Sequence, residues 1–393
     1  MMKATLAMRL RFAAAALSLL CAATALPTSA TPITPTRDDE VVEVLPVVPG
    51  NRAEARRLRQ QLAKNPRDPA LALAVAKRYI DQAHELGDPR FAGMAIAALA
   101  PWQDDATMPD DLLLMRANLQ QYLHEFDASA SSLQRLLARA GPPRPQAWLT
   151  LATVRRVQGR YAESDTACRQ VAGAGSALHA NACLAENAAL RGDVDRARSA
   201  FTALLADRAH PPATQAWLST SLAELEERAG RTGPAEAAFR ASLNYAPDVY
   251  TALAYADFLI EQRRPAQALA VLKGQARSDA VLLRLAIAGS QAKAPTAAAD
   301  VAEMRERITV ANERPEAKVL HGREQAMFAL AVDGDTALAL ELARGNVTQQ
   351  REPLDLLLLA QAARASGRPA ALDEARSMVA EIGLVDQRIK AIL

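Results

Sequence analysis

The sequence lacks the short motifs that commonly accompany catalysis or metal binding. Its five histidines are scattered without HxxxH or HExxH spacing, and its three cysteines form no CxxC pair. No GxGxxG or GxxxxGKS/T loop follows a strand-like run, so nucleotide phosphates have no evident cradle. There is also no GxSxG turn that would present a hydrolase nucleophile. We therefore expect no catalytic residue, no metal site and no cofactor.

Long apolar runs and alternating β-branched runs are equally scarce. The only long apolar run is 12–23, near the start, and it is too short to span a bilayer comfortably. No alternating β-branched run is long enough to build a sheet. The sequence therefore predicts an all-α chain that is not an integral membrane protein.

Residues 1–30 have the order of a secretory signal peptide: basic residues, then the apolar run, then small residues. We expect cleavage after Ala30, with Ala25 as the second choice, and a retained amphipathic anchor is the alternative. The style of the segment indicates export in a bacterium, most simply to the periplasm.

Removal of residues 1–30 would lower the formal charge. The whole chain carries +2, and these thirty residues contain three basic and no acidic side chains, which leaves −1. A nearly neutral chain has no bulk attraction for nucleic acid or for an anionic membrane surface. We therefore expect no nucleic-acid partner.

A register of about 34 residues repeats along the chain, as in two-helix repeats. Its markers, which we call joints, are turn-like residues between two helix-like runs: Gly87, His124, Gly159, Gly192, Gly230, Arg263, Gly334 and Gly367. Their spacing is 33–38 residues, except for a gap of 71 between Arg263 and Gly334. That gap is close to two periods.

Three columns of residues keep a fixed distance from the first six joints. Five residues after each joint the residue is small: Ala92, Ser129, Ser164, Ala197, Ala235 and Ala268. Seven residues before each joint five of six are alanine: Ile80, Ala117, Ala152, Ala185, Ala223 and Ala256. Nine residues after each joint the residue is apolar: Ile96, Leu133, Cys168, Phe201, Phe239 and Leu272. Small residues that face each other let antiparallel helices approach closely, and larger ones fill the groove between pairs.

This pattern resembles the tetratricopeptide repeat (TPR) family. The resemblance is carried in one unit by Trp148, Leu151, Ala152, Gly159, Tyr161, Ser164 and Cys168, and in another by Leu222, Ala223, Gly230, Ala235, Phe239, Ser242 and Pro247. It covers roughly 68–382, with His124 and Arg263 in place of the turn glycine. The resemblance implies an all-α, right-handed superhelical solenoid of about nine antiparallel helix pairs that mediates protein–protein interaction.

The chain divides on this basis into five segments. They are a signal peptide (1–30), a proline-rich leader (31–50), an N-terminal capping helix (51–67), well-formed repeats (68–275) and degenerate helix pairs that continue the solenoid (276–393). The stretch 279–312 keeps helical periodicity but fits the columns poorly.

The resemblance also implies where a partner binds. In the family, the residue six before each joint lies on the concave face lined by first helices, and here that column is polar: Asp81, Asn118, Thr153, Glu186, Glu224 and Asp257. The residue three further on shares that face, and the aromatic residues Trp217 and Tyr250 lie near it. The candidate partner-binding residues are Asn118, Gln121, Thr153, Arg156, Glu186, Trp217, Glu224, Glu227, Tyr250 and Asp257.

These residues predict a polar, locally acidic groove for an extended peptide or a basic protein segment. An ordinary solvated helix face is the alternative structural explanation. Two other functions stay open: a module that binds an envelope glycan or peptidoglycan fragment through Trp217 and Tyr250, and an accessory subunit of an enzyme or transporter.

Cys168 and Cys183 are the cysteines that remain after cleavage. They fall on the second helix of one repeat and the first helix of the next, which are neighbours in a stacked solenoid. An oxidising compartment favours a disulfide, provided that the Cα atoms lie within about 7 Å of each other. Two separate buried thiols are the alternative.

Overall fold

The structure, a computed structural model, describes residues 37, 52–86, 90–102, 107–313 and 322–393. The predicted signal peptide, its cleavage after Ala30 and nearly all of the leader 31–50 lie outside the described residues. So does the first predicted joint, Gly87.

Helices account for all of the regular structure in the described ranges, which contain no β-strand. The helices are α1 (Arg52–Lys64), α2 (Pro69–Leu86), α3 (Arg90–Ala98), α4 (Asp110–Tyr122), α5 (Phe126–Leu137), α6 (Pro145–Val157), α7 (Tyr161–Gly173), α8 (Ala177–Leu190), α9 (Val194–Ala206), α10 (Pro212–Arg228), α11 (Thr232–Tyr245), α12 (Val249–Glu261), α13 (Pro265–Leu272), α14 (Asp279–Ala292), α15 (Ala297–Asn312), α16 (Gly322–Phe328), α17 (Thr336–Val347), α18 (Pro353–Ala365), α19 (Pro369–Ile382) and α20 (Gln387–Ile392). A π-helical turn, Ala329–Asp333, continues α16.

Consecutive helices pack as antiparallel pairs, from α2 with α3 to α18 with α19. Nine such pairs lie in the described part of the chain, with α1 packed on α2 at one end and α20 packed on α18 at the other. The predicted all-α solenoid of helix pairs is therefore confirmed. We call the helix before each joint the first helix of its pair and the helix after it the second.

The joints share a left-handed backbone conformation. The φ angle is 61° at His124, 75° at Gly159, 89° at Gly192, 74° at Gly230, 56° at Arg263, 67° at Gly334 and 66° at Gly367. A residue in this conformation ends a helix and turns the chain back, and glycine adopts it most easily. The 71-residue gap contains one further joint, Lys293, with φ of 54°. The gap therefore holds two periods, as its length predicts.

The two small columns meet inside each pair. All six residues five positions after the first six joints are fully buried. The Ser129 hydroxyl donates to the Ala117 carbonyl and the Ser164 hydroxyl to the Ala152 carbonyl, each at 2.8 Å between oxygens. Each bond joins the small residue five positions after a joint to the residue seven positions before the same joint. The two helices of a pair therefore approach so closely here that only a small side chain fits between them.

The large apolar column is buried in five of its six members, and Ile96 is the exception at 44% exposed. Because α3 ends only two residues later, Leu99 and Trp102 of the following turn occupy the interior instead. The expectation that Ile96 fills a groove is wrong.

We expect Ala223→Leu to lower the free energy of unfolding by about 1–3 kcal/mol through overpacking. Ala223 is fully buried and belongs to the same core cluster as Ala235 of the paired helix. Denaturant unfolding measures the change. Ala298→Leu on the exposed side of α15 is the matched control and should shift stability by less than about 0.5 kcal/mol. Equal losses in the two variants would contradict the tight alanine column.

First helices also pack directly against the first helices of neighbouring pairs, as α6 does with α4 and α8. The corresponding contacts between second helices are weaker among the described residues. The first helices therefore line the inner face of the stack, as the TPR resemblance implies.

Candidate functional site

Three hydrogen bonds in one register, which we call the ladder, link first helices of neighbouring pairs: α4 with α6, α8 with α10 and α12 with α14. The donor stands nine residues before its own joint, and the acceptor stands six residues before the preceding joint. The bonds are Thr150 Oγ1 to Asn118 Oδ1 at 3.4 Å, Ser221 Oγ to Glu186 Oε1 at 2.9 Å, and Arg284 Nη2 to Asp257 Oδ2 at 2.7 Å. The polar column read from the sequence is thus the acceptor side of a regular contact between repeats.

Arginines neutralise much of the groove that the sequence predicts to be locally acidic. Arg156 pairs with Glu186, and Arg284 pairs with Asp257. Nη1 of Arg388, at the C-terminal end of the chain, lies 2.9 Å from Glu227 Oε1. The prediction of a locally acidic channel is therefore wrong for this part of the face, because Arg284 and Arg388, which belong to neither polar column, also lie on it.

Tyr250, beside Glu224, forms a part of this face that remains exposed. The Tyr250 hydroxyl donates to Glu224 Oε1 at 2.6 Å, and Arg228 Nη1 lies 4.0 Å from Glu224 Oε2. Burial raises the pKa of the Glu224 carboxyl, against the opposite effects of Arg228 and the Tyr250 bond. The charges of Glu186 and Glu352 raise it further. The Tyr250 side chain stays 62% exposed, so its ring is available to a partner.

The other predicted contact residues lie less openly on this face. The Thr153 hydroxyl donates to the Leu149 carbonyl of its own helix at 3.1 Å and so does not extend the ladder. Gln121 is half-buried near the end of α4. Trp217 is half-buried, with its ring stacked on His179 at 5.5 Å between centroids.

Three arginines and one glutamate of this face were missed by sequence reasoning: Arg228, Arg284, Arg388 and Glu261. Arg284 has a usable signal, because it stands nine residues before Lys293 in the donor column. That signal appears only once Lys293 is recognised as a joint without glycine. Arg388 carries no such signal, since it belongs to no repeat position and reaches the face from a distant part of the chain.

Cys168 and Cys183 are joined by a disulfide in the structure, between α7 and α8. Their sulfur atoms lie 1.98 Å apart and their Cα atoms 5.8 Å apart. Both residues are buried, beside the bond from Asn187 Nδ2 to Ser164 Oγ at 2.9 Å. The Cα separation is thus within the limit of about 7 Å that a disulfide requires. Formation of the bond in solution stays a prediction.

The described residues show neither a membrane-crossing helix nor a metal site. None of the described helices combines the length and apolar character that a bilayer crossing needs. No three His, Cys, Asp or Glu side chains in those residues are grouped so that they could hold a metal ion.

The turn geometry, the facing small columns and the first-helix ladder together decide the architecture. The fold is TPR-like. No family model matches the sequence, and no curated protein matches it either.

Three solved structures are similar to this TPR-like chain. YrrB, described as a TPR protein with an unusual peptide-binding site, is 16% identical with a TM-score of 0.31, over 52% of this chain and 99% of that one. A Rap protein in complex with competence and sporulation factor is 12% identical with a TM-score of 0.44, over 86% and 98%. Yeast Tom70 is 12% identical with a TM-score of 0.27, over 86% and 82%. Likenesses this distant say nothing about what the chain binds.

Proposed function

We propose that the chain is an interaction scaffold that binds an extended peptide or protein segment along the inner face of its first helices. The observation that carries this proposal is the exposed Tyr250 ring on the first-helix face, with its hydroxyl bonded to Glu224. Regularly spaced side chains on successive repeats can bind successive parts of an extended ligand. An exposed aromatic ring with a fixed hydroxyl is a typical contact residue in such an interface.

A peptide fits this face better than a glycan does. Glycan binding through stacking needs aromatic platforms, and the sequence offers Trp217 and Tyr250 for that purpose. Because Trp217 is half-buried and stacks on His179, Tyr250 is the one of these two rings that is largely exposed. The ladder donors Thr150, Ser221 and Arg284 are buried and already bonded within the ladder. A peptide is therefore held beside the ladder, through the Tyr250 ring and the Glu224 carboxyl.

We place this scaffold in the bacterial envelope, since residues 1–30 have the order of a signal peptide. The partner is then a polypeptide of the same compartment. We propose no chemistry for the chain itself, because the sequence shows no catalytic motif.

We expect Tyr250→Ala to reduce capture of the partner from an envelope fraction by about tenfold, which corresponds to about 1.4 kcal/mol. Stability should fall by only about 1 kcal/mol, because the ring is exposed and the one hydrogen bond lost is that to Glu224. Leu338→Ala on second helix α17 is the matched control, since Leu338 is also an exposed apolar residue. Mass spectrometry identifies and quantifies what each immobilised variant retains.

Equal capture by the Tyr250→Ala variant and the wild type would refute the assignment of the site. Failure of the wild-type chain to retain any polypeptide would refute the scaffold itself. Asp257 is unsuitable for this test, because it neutralises the buried Arg284 and its removal would disturb the fold.

A further inference from the structure

The C-terminal part of the chain runs across the ends of the central first helices. The main-chain N–H of Arg351 donates to the Val157 carbonyl at 2.7 Å, and that of Val385 donates to the Leu190 carbonyl at 2.8 Å. Val157 and Leu190 are the last residues of α6 and α8. Carbonyls at a helix C-terminus have no partner within the helix. Segments from much later in the chain therefore satisfy them.

The central joints leave little space at this crossing. A Cβ placed on Gly159 would lie 2.9 Å from Ile382 Cγ2, and one placed on Gly192 would lie 3.1 Å from Val385 Cγ2. Next along the row, Gln387 lies over Gly230. The C-terminal segment thus follows the row of joints in order, one repeat after another.

Arg388 anchors this segment electrostatically. Its guanidinium lies 2.9 Å from Glu227 and 3.5 Å from Glu261, which belong to the last turns of α10 and α12, and 2.8 Å from Asp386. A cation at helix C-termini also interacts favourably with the helix dipoles.

A cation at this place stabilises the ionised carboxylates of Glu227 and Glu261. Burial raises the pKa of Glu227, and the like charges of Glu261 and Glu224 add to that rise, while Arg388 opposes it. Burial likewise raises the pKa of Glu261, again against Arg388. Two carboxyls held together in a poorly solvated place favour any arginine that can reach between them.

We propose that residues 383–393 are an internal ligand of the first-helix face, which a partner segment of the same chemistry displaces. That chemistry is a backbone N–H for the Leu190 carbonyl and, three residues further on, an arginine for Glu227 and Glu261. The partner half of this proposal rests on the proposed scaffold function. It also names the partner's class: an extended, arginine-bearing segment.

Displacement exchanges one short segment for another. Four apolar side chains hold the segment: Leu384 and Ile389 are buried, and Ile392 and Leu393 pack against the same core cluster, whereas Val385 is 40% exposed. Helix α20 comprises only six residues. A tethered segment acts at an effective concentration on the order of millimolar. A free peptide of equal intrinsic affinity must therefore reach about millimolar concentration to compete with the tethered segment, and a partner at lower concentration must bind correspondingly more tightly.

The first test measures amide hydrogen exchange in the full chain. Arg388→Glu places a further acidic group beside Glu227, Glu261 and Asp386, and we expect the Val385 amide to exchange at least tenfold faster. Lys390→Glu is the matched control, because it reverses a charge on the exposed side of the same helix and should leave the exchange rate unchanged. Circular dichroism checks that each variant is folded, and Arg388→Gln replaces Arg388→Glu if the latter is not. Unchanged exchange in a folded Arg388 variant would overturn the proposal.

The second test uses a fluorescein-labelled synthetic peptide of residues 383–393, GLVDQRIKAIL. The Arg388→Glu chain, whose own segment is released, should bind this peptide at least tenfold more tightly than the wild-type chain does. The same peptide with glutamate in place of its arginine should not bind. Equal affinity for the two chains, or no binding by the released variant, would refute the internal ligand.

Size-exclusion chromatography tests whether the C-terminal segment of a second copy of the chain occupies this face. A concentration-dependent wild-type dimer that exchanges its C-terminal segments would replace the partner by a second copy and overturn the proposal as stated. Because these measurements use the chain's own segment, their outcome is independent of whether the envelope capture finds a partner.

Discussion

Asp257→Ala should lower the free energy of unfolding by about 3–5 kcal/mol, since it leaves a buried guanidinium without its counter-ion. Arg284 is 6% exposed, and its Nε and Nη2 atoms donate to both Asp257 oxygens at 2.7–3.2 Å. Desolvated charges that lose their partner are among the most damaging single changes in a protein. Urea or guanidinium unfolding followed by circular dichroism measures the loss.

Two further variants separate this mechanism from a general sensitivity of acidic residues. Asp373→Ala removes one member of an exposed ion pair with Arg376 and should shift stability by less than about 0.5 kcal/mol. The double variant Asp257→Ala with Arg284→Met removes both charges and should recover most of the loss. If the double variant were as unstable as Asp257→Ala alone, the stranded charge could not be the cause.

Reduction of the disulfide should lower the free energy of unfolding by about 3 kcal/mol on the chain-entropy estimate. Cys168 and Cys183 are 15 residues apart in sequence, and the bond joins adjacent helix pairs. Unfolding with and without a reductant measures the effect. Cys168→Ala with Cys183→Ala is the control variant, which should be insensitive to reductant.

Thiol labelling of the denatured, unreduced chain provides an independent check on the same bond. A chain without residues 1–30 should label at no cysteine, and a chain that keeps them should label at Cys21 alone. Labelling of both Cys168 and Cys183 would show that the two residues are separate buried thiols in solution.

The features that sequence could predict are those that repeat locally. Helix pairs, joints and small columns recur every 33–38 residues, so each copy supports the others. Lys293 is harder, because it replaces the turn glycine within the stretch 279–312, where the columns that reveal His124 and Arg263 fit poorly. Only the acceptors of the ladder could be predicted from the sequence, because they form a polar column. Its donors share no residue type, since they are a threonine, a serine and an arginine.

The contacts of the C-terminal segment could not be predicted by the same means. Arg388 meets Glu227 across the first-helix face, and nothing periodic in the sequence relates these two positions. The acidic character assigned to the groove was wrong for that reason, since a count of charges within one column omits cations that arrive from elsewhere. The assignment of partner-binding residues to that inner face rests on the TPR resemblance and stays a prediction.

The crossing of Val385 over Leu190 changes how the chain should fold and unfold. In an open repeat array each unit contacts only its neighbours, so the array can fray from its ends one unit at a time. Here the last helices are bonded to units in the middle of the array. The C-terminal pairs cannot detach without uncapping α6 and α8, which couples terminal and central repeats into one cooperative transition. The same long-range contact raises the contact order and should slow folding relative to an open array of equal length.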